Sequence, residues 1–207
     1  MPKDNRYPVI GLTGGVGAGK STVLSFLQEK YGFYVIQADL TARSLMEPGK
    51  DAYKAVCAFL GPVILQENGQ IDRKVMADII FKDPLKREEI DRLTHPLVWE
   101  AVREEAREHA LQQPVVIEAA IPSKEFRDIC HEMWYLYTSR DVRIRRLKES
   151  RGYSDEKAES IIANQASEEA FRSFSDQEIN NSGSEEETRK QIDALLERAK
   201  DKDNETT

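Results

Sequence analysis

A glycine-rich loop from Gly14 to Ser21 constrains the fold more than any other part of the chain. Its residues read GGVGAGKS and fit the pattern G-x-x-x-x-G-K-S of phosphate-binding loops. A short apolar run, Tyr7–Thr13, precedes the loop and indicates a strand, and Ser21–Lys30 carries apolar residues at helical spacing. The same glycines could form a turn by chance. Their place between a strand and a helix favours a nucleotide-binding α/β protein.

The residue types of this loop suit the phosphates of a nucleotide. Glycines let successive backbone N–H groups converge on phosphate oxygens, and the helix that follows directs its positive dipole end to the same place. Lys20 offers a mobile cation to the outer phosphates, and the Ser21 hydroxyl offers a ligand to Mg²⁺. The motif therefore predicts nucleotide binding, but it does not name the reaction.

The composition disfavours several classes of function. The chain has 207 residues, enough for one core and a modest insertion, and a net charge of −7 argues against general nucleic-acid binding. Two cysteines without a C-x-x-C pair fit a reducing compartment, and three scattered histidines disfavour a zinc site. No stretch approaches the ~20 apolar residues of a membrane span, and the N-terminus lacks a signal-peptide pattern. We expect a cytoplasmic monomer that binds neither nucleic acid nor membrane.

A second predicted strand, Phe33–Ile36, ends shortly before Asp39. Folds of this kind place their chemistry at the carboxyl ends of parallel strands, which makes Asp39 a candidate site residue. The same carboxylate could instead cap a helix over Leu40–Met46. Its position alone does not decide between the two roles.

The segment from about Leu45 to Gln113 predicts helices without a clear strand. Asp72 and Asp83–Pro84 are typical helix starts, and Thr94–Pro96 is expected to break a helix and restart it. The segment is too long for a simple crossover between strands. It predicts a helical insertion that forms the pocket for a second substrate, with a purely structural set of helices as the alternative.

Two further apolar runs, Pro114–Ile121 and Met133–Tyr137, are typical of buried parallel strands. Glu118, late in the first run, could contact Mg²⁺ through water or form a structural ion pair. The basic segment Arg140–Arg151 follows the second run and suggests a lid that closes over the transferring phosphoryl group. The alternative for much of this segment is a solvated charged helix.

The end of the chain predicts one more strand and one more helix. The strand is expected over Asp176–Asn181, and Ser184 with Glu187 forms a capping-box pattern at the start of the helix. The polar residues Asp201–Thr207 then predict a flexible tail.

Three classes of nucleotide-binding protein share the loop. A GTPase needs a D-x-x-G element and an N-K-x-D guanine-binding element, and the sequence contains neither. A motor or transport ATPase usually has an apolar strand that ends in Asp, whereas the third strand here offers only Glu118. A small-molecule kinase needs the loop, an inserted acceptor pocket and an arginine-rich lid, which is the order found in this chain.

From Ile10 to about Ile192 the sequence resembles the dephospho-CoA kinase family. The motifs that carry the resemblance are GLTGGVGAGKST at 11–22, AD at 38–39, AR at 42–43, LTHP at 93–96, RL at 146–147, Arg151 with Ser154 and Glu156, NQ at 164–165, and Asp176 with Ile179, Asn181 and Gly183. The loop alone is generic, but the ordered set is specific.

The resemblance implies a three-layer α/β/α P-loop kinase fold with a five-stranded parallel sheet, a helical substrate-binding insertion and a lid. The implied nucleotide-binding core consists of residues 1–44, 114–139 and 172–200. The CoA-binding insertion would span residues 45–113 and the lid residues 140–171, leaving 201–207 as the tail.

The resemblance also implies transfer of the γ-phosphoryl group of ATP to the 3′-hydroxyl of dephospho-CoA, with Mg²⁺ as cofactor. Asp39 would orient the hydroxyl and accept its proton, and Lys20 and Arg140 would complete the catalytic set. Arg43 and His95 would contact the substrate beside Asp39. The implied ATP-binding residues are Gly15, Val16, Gly17, Ala18, Gly19, Lys20, Ser21, Thr22 and Arg146, and Ser21 would also bind the metal.

Two positions depart from the family pattern. Gln37 stands where an acidic residue is usual, which leaves Asp39 as the one strong base candidate. Pro122–Lys124 replaces a stretch that is usually apolar and ends in Glu. These departures keep two alternatives open: a kinase for another nucleotide or nucleoside, and a nucleotide-sensing protein that has lost phosphoryl transfer.

Overall fold

The structure is a computed structural model that describes residues 6–205, with side chains described up to residue 199. The chain divides into two compact units. We call Met1–Val35 with His109–Thr207 the core unit, and Ile36–Glu108 the helical unit.

The strands form one five-stranded sheet. They are β1 (Val9–Thr13), β2 (Tyr34–Gln37), β3 (Val115–Glu118), β4 (Glu132–Tyr137) and β5 (Gln177–Asn180). Their order is β2-β3-β1-β4-β5, and β1 lies parallel to both β3 and β4, with Leu12 opposite Glu118 on one side and Trp134 on the other. The predicted α/β fold with a five-stranded parallel sheet is confirmed.

Ten α-helices connect and flank these strands among the described residues. They are α1 (Lys20–Tyr31), α2 (Ala38–Leu45), α3 (Asp51–Leu60), α4 (Arg73–Lys82), α5 (Pro84–His109), α6 (Lys124–Ile129), α7 (Arg140–Arg151), α8 (Asp155–Ala163), α9 (Glu168–Phe174) and α10 (Glu185–Glu205). None of the helices in the described part of the chain has the length and apolar character needed to span a lipid bilayer.

The apolar core of the core unit fixes the glycine-rich loop at both of its ends. β1 is buried at every position, and its residues Ile10 and Leu12 pack in one cluster with Leu27 of α1. Trp134 of β4 and Ile192 of α10 are fully buried in the same cluster. Because apolar burial holds the strand before the loop and the helix after it, the loop spans a fixed gap.

The helical unit has its own smaller core. Val56, Ile64, Ile71 and Ile90 form its buried cluster, which brings together α3, α5 and a short 3₁₀ helix at Pro62–Ile64. The predicted cap at Asp72 is confirmed, since its carboxylate accepts hydrogen bonds from the first backbone N–H groups of α4. The predicted cap at Asp83 is confirmed as well, by a 3.2 Å bond from the Lys86 N–H.

The expected break at Thr94–Pro96 is wrong. Helix α5 runs without interruption from Pro84 to His109, with Pro96 inside it. A proline within a helix removes one backbone hydrogen bond and usually kinks or ends the helix. Here the buried Thr94 hydroxyl donates to the Ile90 carbonyl at 2.8 Å, and the burial of Val98 and Val102 stabilises the helix beyond the proline.

The third strand is shorter than predicted, because β3 ends at Glu118 rather than Ile121. Pro122 cannot donate to a sheet, and Ser123 caps α6 by accepting a 3.2 Å hydrogen bond from the Phe126 N–H. The unusual stretch Pro122–Lys124 therefore starts a helix in this chain. Ile121, which precedes it, is 71% exposed.

The last helix begins as predicted and ends later. Ser184 and Glu187 form the reciprocal capping box, with the Glu187 carboxylate 2.8 Å from the Ser184 N–H. Helix α10 continues to Glu205, into the tail that the sequence predicted from residue 201. Residues 206 and 207 of that tail lie outside the described residues.

Candidate active site

The glycine-rich loop connects β1 to α1 and has the backbone of an anion-binding turn. Gly17 and Gly19 lie in the left-handed region, at φ 81° and 92°, where a side chain would strain the backbone. Gly19 is also the N-cap residue of α1. The loop therefore leads directly into the positive end of a helix dipole, as the sequence predicted.

Lys20 is held by two oxygens at the base of the loop. Its Nζ donates a 2.7 Å hydrogen bond to the Gly14 carbonyl and lies 3.4 Å from Oε1 of Glu118. Both side chains are nearly buried, with 13% and 10% of their surface exposed. Of the two roles left open for Glu118, the structure shows the ion pair, which also fixes the direction of the Lys20 side chain.

The Ala18 carbonyl accepts hydrogen bonds from three side chains that belong to different elements. The donors are Thr138 Oγ1 at 3.0 Å, Arg146 Nη1 at 3.1 Å and Asn181 Nδ2 at 2.7 Å. In a trans peptide the carbonyl and the next N–H point in opposite directions. The three donors therefore orient the N–H of Gly19 to the other side of the loop, away from themselves.

Arg143 and Gln165 together bind the backbone carbonyl and N–H of Val16. Arg143 Nε donates to the Val16 carbonyl at 2.9 Å, while the Val16 N–H donates to Gln165 Oε1 at 3.1 Å. Arg143 Nη2 also donates to the same oxygen of Gln165. A Cβ atom on Gly15 would overlap this guanidinium, which explains the glycine at that position.

The arginines of the predicted lid have unequal positions. Arg140 forms a 3.0 Å ion pair with Glu159, and its side chain is 56% exposed. Arg146 uses its second terminal nitrogen to donate to the Asn181 carbonyl at 3.0 Å, and burial lowers its pKa below the usual arginine value. The structure thus brings Arg146 and Arg143 to the loop, whereas Arg140 pairs with a residue of α8.

The three predicted substrate residues all lie in the helical unit. Asp39 is exposed in the first turn of α2, where Gln37 occupies the N-cap position without a side-chain cap bond, so Asp39 does not cap this helix. Arg43 is exposed in the last turn of α2. His95 is 57% exposed on α5, with its Nε2 3.6 Å from an Asp91 carboxylate oxygen.

Three residues of the site were not predicted: Arg143 lies in the basic segment, and Gln165 and Asn181 lie in the family motifs, but none of them was assigned to the site. One signal for Arg143 was available, because it lies one helical turn before Leu147, an apolar residue that is buried in α7. The contacts of Gln165 and Asn181 join residues far apart in the chain, 149 and 163 positions from their partners in the loop. No local pattern predicts such pairs.

Comparison with known proteins identifies the family. Residues 8–187 match the family described as dephospho-CoA kinase. The chain belongs to the dephospho-CoA kinase family. Two relatives of that name, from Carboxydothermus hydrogenoformans and Geobacillus kaustophilus, are 37% and 36% identical to it. The first match covers 95% of this chain and 96% of the relative, and the second covers 90% and 94%.

A solved structure supports the same fold. The dephospho-CoA kinase from Campylobacter jejuni superposes with a TM-score of 0.70 at 19% identity, over 92% of this chain and 96% of that chain. Membership of the dephospho-CoA kinase family makes this protein a P-loop kinase, an ATP-dependent phosphotransferase. The GTPase and motor ATPase classes are therefore excluded by family as well as by motif.

Proposed function

We propose that this protein transfers the γ-phosphoryl group of ATP to the 3′-hydroxyl of dephospho-CoA, producing CoA and ADP. The observation that carries the proposal is the match to dephospho-CoA kinases over almost the whole length of both chains. Within the P-loop kinases, this match favours dephospho-CoA over another nucleotide or nucleoside as the acceptor. It also disfavours a sensor that has lost phosphoryl transfer.

The loop and Lys20 supply the electrostatic part of the reaction. In phosphoryl transfer, negative charge spreads over the oxygens of the transferred group, and catalysis depends mainly on placing positive charge around them. Lys20 is already directed by Gly14 and Glu118, so its ammonium group needs little rearrangement to reach the phosphates. The backbone of residues 15–22 would hold the β- and γ-phosphates through its N–H groups, apart from those of Val16, Ala18 and Thr22, which bond within the protein. Arg146 would complete the ATP-binding set at the same loop.

The residues around the loop are compatible with an Mg²⁺ ion that is bound mainly by the phosphates of the nucleotide. No cluster of three or more His, Cys, Asp or Glu side chains that could hold a metal ion occurs in the described part of the chain. Mg²⁺ commonly uses substrate phosphates, waters and one or two protein oxygens. Ser21, in the first turn of α1, would supply the protein oxygen, and the ion would neutralise the phosphate charge.

Asp39 would act on the acceptor. It lies two residues after the end of β2, a strand of the same sheet as β1, and it is exposed and does not occupy the N-cap position of α2. A carboxylate in this role hydrogen-bonds the attacking hydroxyl and receives its proton as the phosphorus–oxygen bond forms. Gln37 cannot share that proton as a second carboxylate would, so Asp39 acts alone.

The remaining assignments follow from the same proposal. Residues 45–113 would bind CoA, with Arg43 and His95 contacting the substrate, and residues 140–171 would form the lid that carries Arg140. Residues 1–44, 114–139 and 172–200 would form the nucleotide-binding core. The sequence features described above favour a cytoplasmic monomer.

The test is an ADP-release assay with alternative acceptors. Purified protein is given ATP and Mg²⁺ with dephospho-CoA, AMP, CMP or adenosine. We expect dephospho-CoA to support the highest kcat/KM by a wide margin. A higher value with one of the other three would assign the protein to a different kinase reaction, and ADP release independent of any acceptor would contradict the proposal.

A further inference from the structure

Arg143 is a buried cation without an acidic partner. It is 9% exposed, and no carboxylate forms an ion pair with it among the described residues. Its hydrogen bonds go to two neutral groups, the Val16 carbonyl and the side-chain oxygen of Gln165. Burial lowers its pKa below the usual arginine value, and this outweighs the opposite effects of Tyr135 and Glu168.

Three arginines away from the loop have acidic partners, unlike Arg143 and its neighbour Arg146, which donate to neutral groups. Arg140 pairs with Glu159, Arg127 with Asp176, and Arg172 with both Glu168 and Glu178. Each of these arginines is far more exposed than Arg143 and has less need of a counter-charge. Burying a charge without a partner is costly, so a buried arginine at an anion-binding loop suggests that its partner is an anion.

The geometry directs Arg143 to the phosphate loop. Two of its nitrogens, Nε and Nη2, are used to fix the plane of the guanidinium against Val16 and Gln165. Nη1 donates to neither of these groups and lies 2.9 Å from the place that a Cβ atom of Gly15 would occupy. A guanidinium fixed in this way can present its remaining N–H groups to an oxyanion without a further loss of freedom.

We propose that Arg143 binds phosphate oxygens of ATP directly, and that Gln165 positions its guanidinium against the loop. The proposal rests on the proposed function only in requiring that the protein binds ATP. Arg143 then belongs to the phosphate-binding residues together with Lys20. Gln165 affects ATP binding indirectly, through its hydrogen bonds with Arg143 and Val16.

The first test compares Arg143→Gln with Arg145→Gln. Both substitutions remove one charge from α7, but Arg145 is exposed, and glutamine at 143 keeps a donor for the Val16 carbonyl. We expect Arg143→Gln to weaken ATP binding about 10-fold or more, as for a lost hydrogen bond to a charged group, and Arg145→Gln to leave it unchanged. The readouts are the Kd from calorimetry and the ATP-induced rise in Tm.

The Tm of the free protein separates phosphate binding from a structural role. Since the charge of Arg143 is unpaired, Arg143→Gln should leave the Tm without nucleotide unchanged or higher, while the ATP-induced rise becomes smaller. A lower Tm without nucleotide, with the full ATP-induced rise retained, would show that Arg143 only braces the loop and would overturn the proposal.

The second test replaces Gln165 with Glu. A carboxylate at 165 would still accept hydrogen bonds from Val16 and Arg143, but it would also neutralise the arginine. If Arg143 binds phosphate, Gln165→Glu weakens ATP binding and raises the Tm of the free protein. Because a carboxylate this close to the loop also repels phosphate directly, the weakening supports the proposal only together with that in Arg143→Gln, and unchanged ATP binding in Gln165→Glu would overturn it. Asn164→Asp is the control, since Asn164 is exposed and bonds only locally to the Ser160 carbonyl.

The outcome is independent of the acceptor. Suppose that Arg143→Gln binds ATP more weakly than the wild type, but the wild type does not phosphorylate dephospho-CoA. The proposed function then fails and the role of Arg143 stands. If the wild-type protein phosphorylates dephospho-CoA and Arg143→Gln binds ATP normally, only the role of Arg143 fails. A wild-type protein that shows no ATP-induced rise in Tm would contradict both.

Discussion

The side-chain amide of Asn181 donates a 2.7 Å hydrogen bond to the carbonyl of Ala18, 163 residues earlier in the chain. Asn181 lies just after β5, and its own side-chain oxygen accepts a 2.7 Å bond from the hydroxyl of Thr188 in α10. Asn181 is only 7% exposed, so both ends of its amide are satisfied inside the protein. The last strand and the last helix are therefore linked to the conformation of the phosphate loop.

We expect Asn181→Ala to affect both stability and nucleotide binding. The substitution leaves the buried Thr188 hydroxyl with only its longer bond to the Ser184 carbonyl and removes one of the three donors to Ala18, which should cost about 1–3 kcal/mol of unfolding free energy. Urea unfolding gives this value, and calorimetry gives the Kd for ATP. Asn180→Ala is the control, because its exposed side-chain oxygen only accepts from the Ser182 N–H. Equal effects of the two substitutions would contradict this role of Asn181.

Replacing Lys20 tests the cation of the loop. Lys20→Ala removes the ammonium group that Gly14 and Glu118 direct, so we expect turnover to fall about 10²-fold or more. The measurement is kcat with saturating dephospho-CoA. Lys30→Ala, at the other end of α1, removes a charge that pairs with Asp193 and should leave kcat unchanged. Similar kcat values for the two variants would exclude an electrostatic role for Lys20.

Replacing Asp39 tests the proposed base. Asp39→Asn keeps the size of the side chain but removes its capacity to accept a proton, and we expect kcat to fall about 10²-fold or more with little change in ATP affinity. Asp51→Asn is the matched control, since Asp51 is likewise an exposed residue in the first turn of a helix. Turnover near the wild-type value in Asp39→Asn would remove Asp39 from the mechanism.

The ion pair between α1 and α10 predicts a pH dependence of stability. Hydrogen bonds from Lys30 and Tyr31, at 2.7 and 2.6 Å, lower the pKa of Asp193 below its usual 3.8. A lowered pKa contributes stability above the unfolded-state value, and this contribution is lost as the pH falls through the folded-state value.

Asp193→Asn should therefore reduce the Tm by about 1–3 °C near neutral pH. The difference from the wild type should shrink as the pH falls below the usual aspartate value and vanish once Asp193 is protonated. Thermal melts of both proteins across this pH range provide the measurement. A difference that stays constant at acid pH would show that the effect comes from packing and not from charge.

The sheet could be predicted because its signals are local. Apolar runs such as Met133–Tyr137, and glycines between a strand and a helix, determine strand and loop positions with little help from distant residues. Pro96 shows the limit, because the sequence predicts a break where buried neighbours keep α5 continuous. At that position, tertiary packing overrides the tendency of proline to end a helix.

The site could be predicted only in part, for a similar reason. The Gly14–Ser21 motif is contiguous in sequence, so the loop between β1 and α1 could be predicted from it. The choice among the lid arginines depends on which of them α7 directs at the loop. That direction is fixed by the burial of Leu147 and by Gln165, which belongs to the turn after α8.

The most direct test of the account is the identity of the product. Wild-type protein is incubated with ATP, Mg²⁺ and dephospho-CoA, and the products are separated and analysed by ³¹P NMR and mass spectrometry. The account predicts one ADP for each CoA formed, with the new phosphate monoester on the 3′-oxygen of the ribose. Unchanged dephospho-CoA in the presence of released ADP, or a phosphoryl group at another position, would contradict it.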